Sequence, residues 1–178
     1  MIAAVRVRPA LGRGGGRARA RLTSTVLASR PVSTHAVGVD MIEISRVAGV
    51  LQRYPRRFLD RVFTPEEVAF CRGRVQELAA RFAAKEAVMK ALGTGARSVA
   101  WRDIEVLPDR RGKPLVYLTG GAQRRAEEIG LDAIDISLSH LEDFAVAVVV
   151  CAQERREQEP QLARERLVAR LRERGLLA

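Results

Sequence analysis

The chain has 178 residues, enough for one domain with a sizeable core, and 47% of them are hydrophobic although only 4% are aromatic. Its formal net charge of +10 is uneven: residues 1–34 carry seven arginines and no acid, residues 153–178 seven arginines and five glutamates, and residues 35–152 seventeen basic against sixteen acidic residues. A near-neutral centre argues against a nucleic-acid-binding body, two cysteines make neither a disulfide framework nor a zinc motif, and no run reaches the roughly 18–20 apolar residues of a membrane span.

In chain order, residues 1–34 include the low-complexity stretch GRGGGRARAR and are expected to be a disordered, Arg-rich extension. Their composition is that of a transit peptide, of a plain tail, or of a start placed too far upstream. Order is expected from about His35. Residues 36–42 (AVGVDMI) have strand length and β-branched content, and Asp40 is the acid inside them. A basic helix follows from Ser45, read as its N-cap, to Tyr54, where Pro55 stops it, with Arg46, Arg53, Arg56 and Arg57 projecting from it and its exit. Thr64, Pro65, Glu66 and Glu67 form a helix start with a capping residue, a proline at the first position and a capping-box acid. A turn at CRGR leads to the long helix, Val75 to Leu92, stopped by Gly93.

Residues 102–107 read as a strand, DRRGKP as a turn and LVYLT as its hairpin partner. Thr119 is placed to cap a helix running to Ile129. Ile134, Ile136 and Leu138 alternate with polar residues as in a half-buried strand, whereas DFAVAVVVCA is apolar throughout and suits a mid-sheet position. These elements predict an α+β domain over 35–152, a small antiparallel sheet with a long central helix. Residues 153–178 are expected to add a charged helical extension from about Gln161 to Arg174, with Leu162, Leu167 and Leu171 as an incomplete stripe.

Two acids stand out. Asp40 interrupts a strand that otherwise reads as buried core, and Glu86 falls on the inward arc of Val75, Leu78, Ala79, Phe82 and Met89 at about 100° per residue. A buried ionised carboxylate costs several kcal/mol, of the order of the desolvation penalty, unless it is paired, hydrogen-bonded or bound to metal. Either acid alone reads equally well as half of an internal ion pair. Both together, with Lys90 one turn beyond Glu86, point to a shared cation. The chain has no GxGxxG, no GK[ST] loop and no GxSxG. A hard, oxygen-preferring ion such as Mg²⁺, held by carboxylates and substrate phosphate oxygens, fits what remains and indicates phosphoryl-type transfer.

The blocks GVDMIEISRV (38–47), FTPEE (63–67), ARFAAKEAVMKALGTG (80–95), WRDIEV (101–106), GKP (112–114) and SLSH (137–140) cover the whole expected core. In these the chain resembles the holo-[acyl-carrier-protein] synthases, the small bacterial type of 4'-phosphopantetheinyl transferase. The resemblance implies transfer of the 4'-phosphopantetheine arm of coenzyme A to a serine of apo acyl carrier protein, releasing adenosine 3',5'-bisphosphate, in the cytoplasm. It implies Asp40 and Glu86 as Mg²⁺ ligands, with Glu86 removing the serine proton directly or through a metal-bound water and Lys90 stabilising or protonating the departing phosphate. Arg72, Arg74 and Arg81 read either as phosphate clamps or as residues that solvate the helix, Arg81 being favoured by its lysine-rich flank beside Lys85, and His140 reads as a coenzyme A phosphate contact through its place in SLSH or as a surface residue; with Lys90, Arg81 and His140 are the expected coenzyme A contacts. Arg46, Arg53 and Arg56 are the expected landing surface for the acidic carrier, and the family habit implies a homotrimer with sites between subunits. The competing readings are a nucleic-acid-binding module worked by the Arg-rich tails, against which the few aromatics count, and a different Mg-dependent coenzyme A or nucleotide transferase.

Overall fold

The computed structural model describes residues 33–95, 98–154 and 160–177. The expected disorder of residues 1–34 lies outside these, except that Ser33 and Thr34 already belong to the first strand. The order is β1 (Ser33–Glu43), α1 (Ile44–Arg53), α2 (Pro55–Val62), α3 (Pro65–Cys71), α4 (Val75–Ala91), a 3-10 turn (Trp101–Asp103), β2 (Ile104–Pro108), β3 (Pro114–Leu118), α5 (Gly120–Glu128), β4 (Leu131–His140), β5 (Phe144–Glu154) and α6 (Pro160–Glu173). The fold is α+β, as the sequence indicates. No helix among the described residues is long and apolar enough to cross a membrane.

The three-stranded sheet has the order β1-β5-β4 and is antiparallel throughout, with the apolar β5 in the middle. One face of it packs on α4. β1 places Ala36, Gly38, Asp40 and Ile42 on that face by its period of two. Gly38 is there because nothing larger fits: a Cβ built on it would overlap the Ala87 carbonyl oxygen and lie 3.1 Å from the Ala91 amide nitrogen. Ala83, Ala84, Ala87 and Ala91, all buried, let α4 approach the sheet this closely. α4 is the hub of the molecule: one core forms between it, the sheet, the β2–β3 hairpin and α5, and a second between its N-terminal half and α1, α2 and α3.

Several local expectations need correction. Ser45 does not cap α1, which begins at Ile44 with Glu43 as an N-cap lacking a side-chain bond. Pro55 ends α1 but also occupies the first turn of α2, where its missing N–H costs nothing, so the chain restarts as a helix instead of becoming a loop. Trp101–Asp103 is a 3-10 turn and the strand runs 104–108. Thr119 sits at the α5 N-cap without a side-chain cap bond; the Asp103 carboxylate takes the Gly121 amide instead, at 2.9 Å. The capping box of α3 is present as read: Thr64 Oγ1 accepts from the Glu67 amide and Glu67 from the Thr64 amide.

The strand AVGVDMI is also not fully buried. Val37, Val39 and Met41 are 59%, 49% and 64% exposed. They pair across the ladder with Val150, Val148 and Val146 on β5, so the outer face of the sheet carries a contiguous apolar patch over two strands. The third strand, β4, presents Asp135, Ser137 and Ser139 on the same register positions.

Candidate functional site

Two clusters of polar side chains carry the chemistry that the sequence suggests. The first lies where α4 crosses β1. Because Gly38 admits the helix, Asp40, two residues further on the same strand face, meets the turn of α4 that bears Glu86 and Lys90. The Lys90 ammonium donates to Asp40 Oδ1 at 2.9 Å and to the Val39 carbonyl at 2.8 Å, with its side chain half exposed. Asp40 and Glu86 are each half-buried, not deep. Burial pushes the Glu86 carboxyl above the usual carboxylate range, the negative charge of Asp40 pushes it further, and Lys90 partly opposes both. Two mutually repelling carboxylates share one lysine, an excess of negative charge that suits a hard cation. Among the described residues no group of three or more His, Cys, Asp and Glu could cage a metal alone. Mg²⁺ tolerates that: it commonly takes one or two carboxylates and fills its remaining positions with water and phosphate oxygens. The donor set therefore fits.

The second cluster is a cleft of 480 Å³ near the N-terminal half of α4, whose lining includes Arg81, His140, Phe70, Arg110, Gly112 and Pro114. His140 ends β4, exposed, opposite Ala145. The Asp109–Lys113 turn forms another wall. It is held by the Asp109 carboxylate, which accepts from the amides of Arg111 and Lys113, and by Gly112 at a φ of 85° that favours glycine. Lys113 turns away to pair with Asp135 at 2.8 Å.

Arg81, expected on the flank beside Lys85, lines the cleft from within the protein. It is buried: Nε donates to the Val106 carbonyl at 3.0 Å, Nη1 to Glu77 Oε2 at 2.6 Å, and the guanidinium lies 4.4 Å from the Phe70 ring centroid. These bonds fix its plane at the cleft wall. Lys90 is not among the residues lining this cleft; it stands with Asp40 and Glu86 instead. Arg46, Arg53, Arg56 and Arg57 are exposed along α1 and α2.

Sequence reasoning missed the most deeply buried charges. Glu67 and Lys85 are both 0% exposed and pair at 2.6 Å. Burial pushes the Lys85 ammonium below the usual lysine range, and Glu67 draws it back. The signal was available: Leu78, Arg81, Lys85, Val88 and Leu92 follow helical spacing, so two cations interrupt an apolar stripe. The thiols of Cys71 and Cys151 are both buried, and burial pushes each up to about 11, so they remain protonated and unreactive.

Residues 36–149 match the model of the 4'-phosphopantetheinyl transferase superfamily. The chain is 50% identical over 120 residues to the holo-[acyl-carrier-protein] synthase of Herpetosiphon aurantiacus, covering 64% of this chain and 94% of that protein. It is 50% identical over 116 residues to that of Moorella thermoacetica, covering 64% and 90%. Among solved structures, the Helicobacter pylori holo-[acyl-carrier-protein] synthase in complex with coenzyme A superposes with a TM-score of 0.60 at 30% identity, over 65% of this chain and 98% of that one. The Neisseria meningitidis enzyme does so at 0.61 and 35%, over 65% and 96%.

Proposed function

The chain belongs to the 4'-phosphopantetheinyl transferase superfamily, and from that premise we propose that it is a holo-[acyl-carrier-protein] synthase. It transfers the 4'-phosphopantetheine group of coenzyme A to a serine of apo acyl carrier protein and releases adenosine 3',5'-bisphosphate. The observation that carries the reading at the level of chemistry is the meeting of Asp40, Glu86 and Lys90 at the Gly38 crossing.

The serine oxygen attacks the pantetheine-bearing phosphorus, and the phosphoanhydride bond to the adenosine bisphosphate breaks. Glu86, beside Asp40 and Lys90, accepts the serine proton directly or through a water. Lys90, half exposed and cationic, reaches the departing phosphate oxygen. Asp40 and Glu86 are the residues that would hold Mg²⁺, which when bound offsets the charge gathering on the diphosphate. Arg81, His140 and the turn at Gly112 form the nucleotide end of the site, the Arg81 guanidinium being fixed by Val106 and Glu77 before any ligand arrives.

The carboxylate cluster and the cleft are separate groups of residues in one chain, and the outer face of β1 and β5 is apolar. Both support a homotrimer in which a complete site joins the carboxylates of one copy to the cleft of the next. Val39→Glu combined with Val148→Glu is expected to give monomers by light scattering and to lose turnover with each chain's own clusters untouched. Trimers of normal activity would contradict this.

Arg46, Arg53 and Arg56 present a cationic strip to the acidic carrier, in the cytoplasm where fatty-acid synthesis would use it. Reversing all three to Glu is expected to raise KM for the carrier roughly tenfold or more with a smaller effect on kcat, and to flatten the salt dependence of kcat/KM. The proposed reaction is tested by chromatography. Adenosine 3',5'-bisphosphate should appear only when coenzyme A and apo carrier are both supplied, and release from coenzyme A alone would contradict carrier-directed transfer.

A further inference from the structure

We infer that Glu67 and Lys85 are positioning residues that lock α4 against β2 and so fix both halves of the site proposed above, an inference that rests on that reading. Neither residue touches the clefts described, and both are wholly buried. The Lys85 ammonium has its three donors spent on Glu67 Oε2 at 2.6 Å, the Val62 carbonyl at 2.8 Å and the Trp101 carbonyl at 3.1 Å. Glu67 accepts from the Thr64 amide through Oε2 and from the Val106 amide through Oε1, each at 2.9 Å. One ion pair thus ties the end of α2, the cap of α3, the 3-10 turn and β2 to the middle of α4.

The bond to Val106 has a specific consequence. Two strands form the β2–β3 hairpin, and Val106 turns its amide and carbonyl toward the open edge of β2. The amide is taken by Glu67 and the carbonyl by Arg81 Nε. Side chains therefore close that edge at the residue from which β2 runs on to the Asp109–Lys113 turn of the cleft. Lys85 precedes Glu86 in the chain and follows Arg81 by one helical turn, so the same lock sets the rotation of α4 where Glu86 emerges and the seat of Arg81. A buried ion pair is a poor device for stability alone, since apolar residues of similar volume commonly serve as well or better. Directed bonds to four backbone segments and one carboxylate fix geometry, and displacement of a reacting group by about 1 Å can cost about 10²-fold in rate.

The test is the charge-free pair Lys85→Met with Glu67→Gln, in which the side-chain amide oxygen introduced at position 67 retains an acceptor for Val106. It is compared with the unaltered enzyme at saturating coenzyme A and carrier, well below its melting midpoint. The expected result is a folded protein whose kcat falls at least about tenfold, together with weaker binding of adenosine 3',5'-bisphosphate by calorimetry. A folded variant with both values within twofold of the unaltered enzyme would overturn the inference. A second measurement needs no variant: by hydrogen exchange of the unaltered full chain, the Val106 amide should be as protected as the amides of α4, and exchange as fast as an exposed turn would overturn the lock. Retained turnover in Glu86→Gln would instead remove the site assignment and this inference with it.

Discussion

Glu86→Gln is expected to lower kcat by about 10²- to 10⁴-fold, the range for removing a general base, while leaving the protein folded and slightly more stable at neutral pH. The two effects have one cause. In the folded chain burial and Asp40 raise the proton affinity of Glu86, so the native state holds more protons than the unfolded chain between the ordinary carboxylate value and the raised one. Stability then falls as pH rises through that window, because the unfolded state binds fewer protons there. Above it the charged Glu86 is a standing penalty, partly relieved by Lys90. Glutamine keeps the shape without the charge, so in metal-free buffer the variant should melt a degree or two higher at pH 7, on the order expected for a fraction of a kcal/mol in a chain of this size, and should lose this part of the pH dependence. Asp40→Asn should be comparably inactive, since it removes the other carboxylate and the Lys90 ion pair. Scanning calorimetry across pH with steady-state assays checks both halves. An active Glu86→Gln enzyme, or one less stable than the parent at pH 7 in metal-free buffer, would contradict the assignment.

The second large effect is expected from a residue with no functional group. A methyl at position 38 has nowhere to go, because its nearest neighbours are the backbone carbonyl of Ala87 and the backbone nitrogen of Ala91, which no rotamer change can move. Gly38→Ala should cost about 3 kcal/mol, the upper end for overpacking, and lower the melting midpoint by roughly 10 °C. Gly38→Val should not fold. In the alanine variant α4 must lift from β1, which separates Glu86 and Lys90 from Asp40, so kcat should fall further than Ala substitution at an ordinary core position would explain. A Gly38→Ala protein with normal melting and normal turnover would show that the close crossing does not build the site.

Much of this was legible in the residues. Thr64-Pro65-Glu66-Glu67 specifies a helix start by local chemistry alone, and the apolar run of β5 specifies a central strand, because each depends on near neighbours or on burial on both faces. Pro55 was ambiguous for the same local reason: a proline ends one helix and begins the next equally well, and only the packing of Phe58, Leu59 and Val62 on the second core decides for α2. Val37, Val39 and Met41 made β1 read as interior, but their row faces outward, and an apolar row on an exposed sheet face has the same period of two as one turned to the core. Asp40, Glu86 and Lys90 could be singled out because an acid among apolar residues is costly. Their meeting depends on Gly38 fitting Ala87, a contact between residues far apart in the chain that periodicity does not encode. Lys85 betrays itself by interrupting an apolar helical stripe, but Glu67 reads as an ordinary capping acid, and only the tertiary fold brings the two together as a buried pair.

Intact-mass spectrometry of apo acyl carrier protein incubated with the full chain, coenzyme A and Mg²⁺ tests the transfer most directly. The carrier should gain the mass of a single phosphopantetheine group, with no gain when the acceptor serine is replaced by alanine or when a chelator removes the metal. A carrier that keeps its apo mass in the presence of folded enzyme, both substrates and Mg²⁺ would contradict the proposed function.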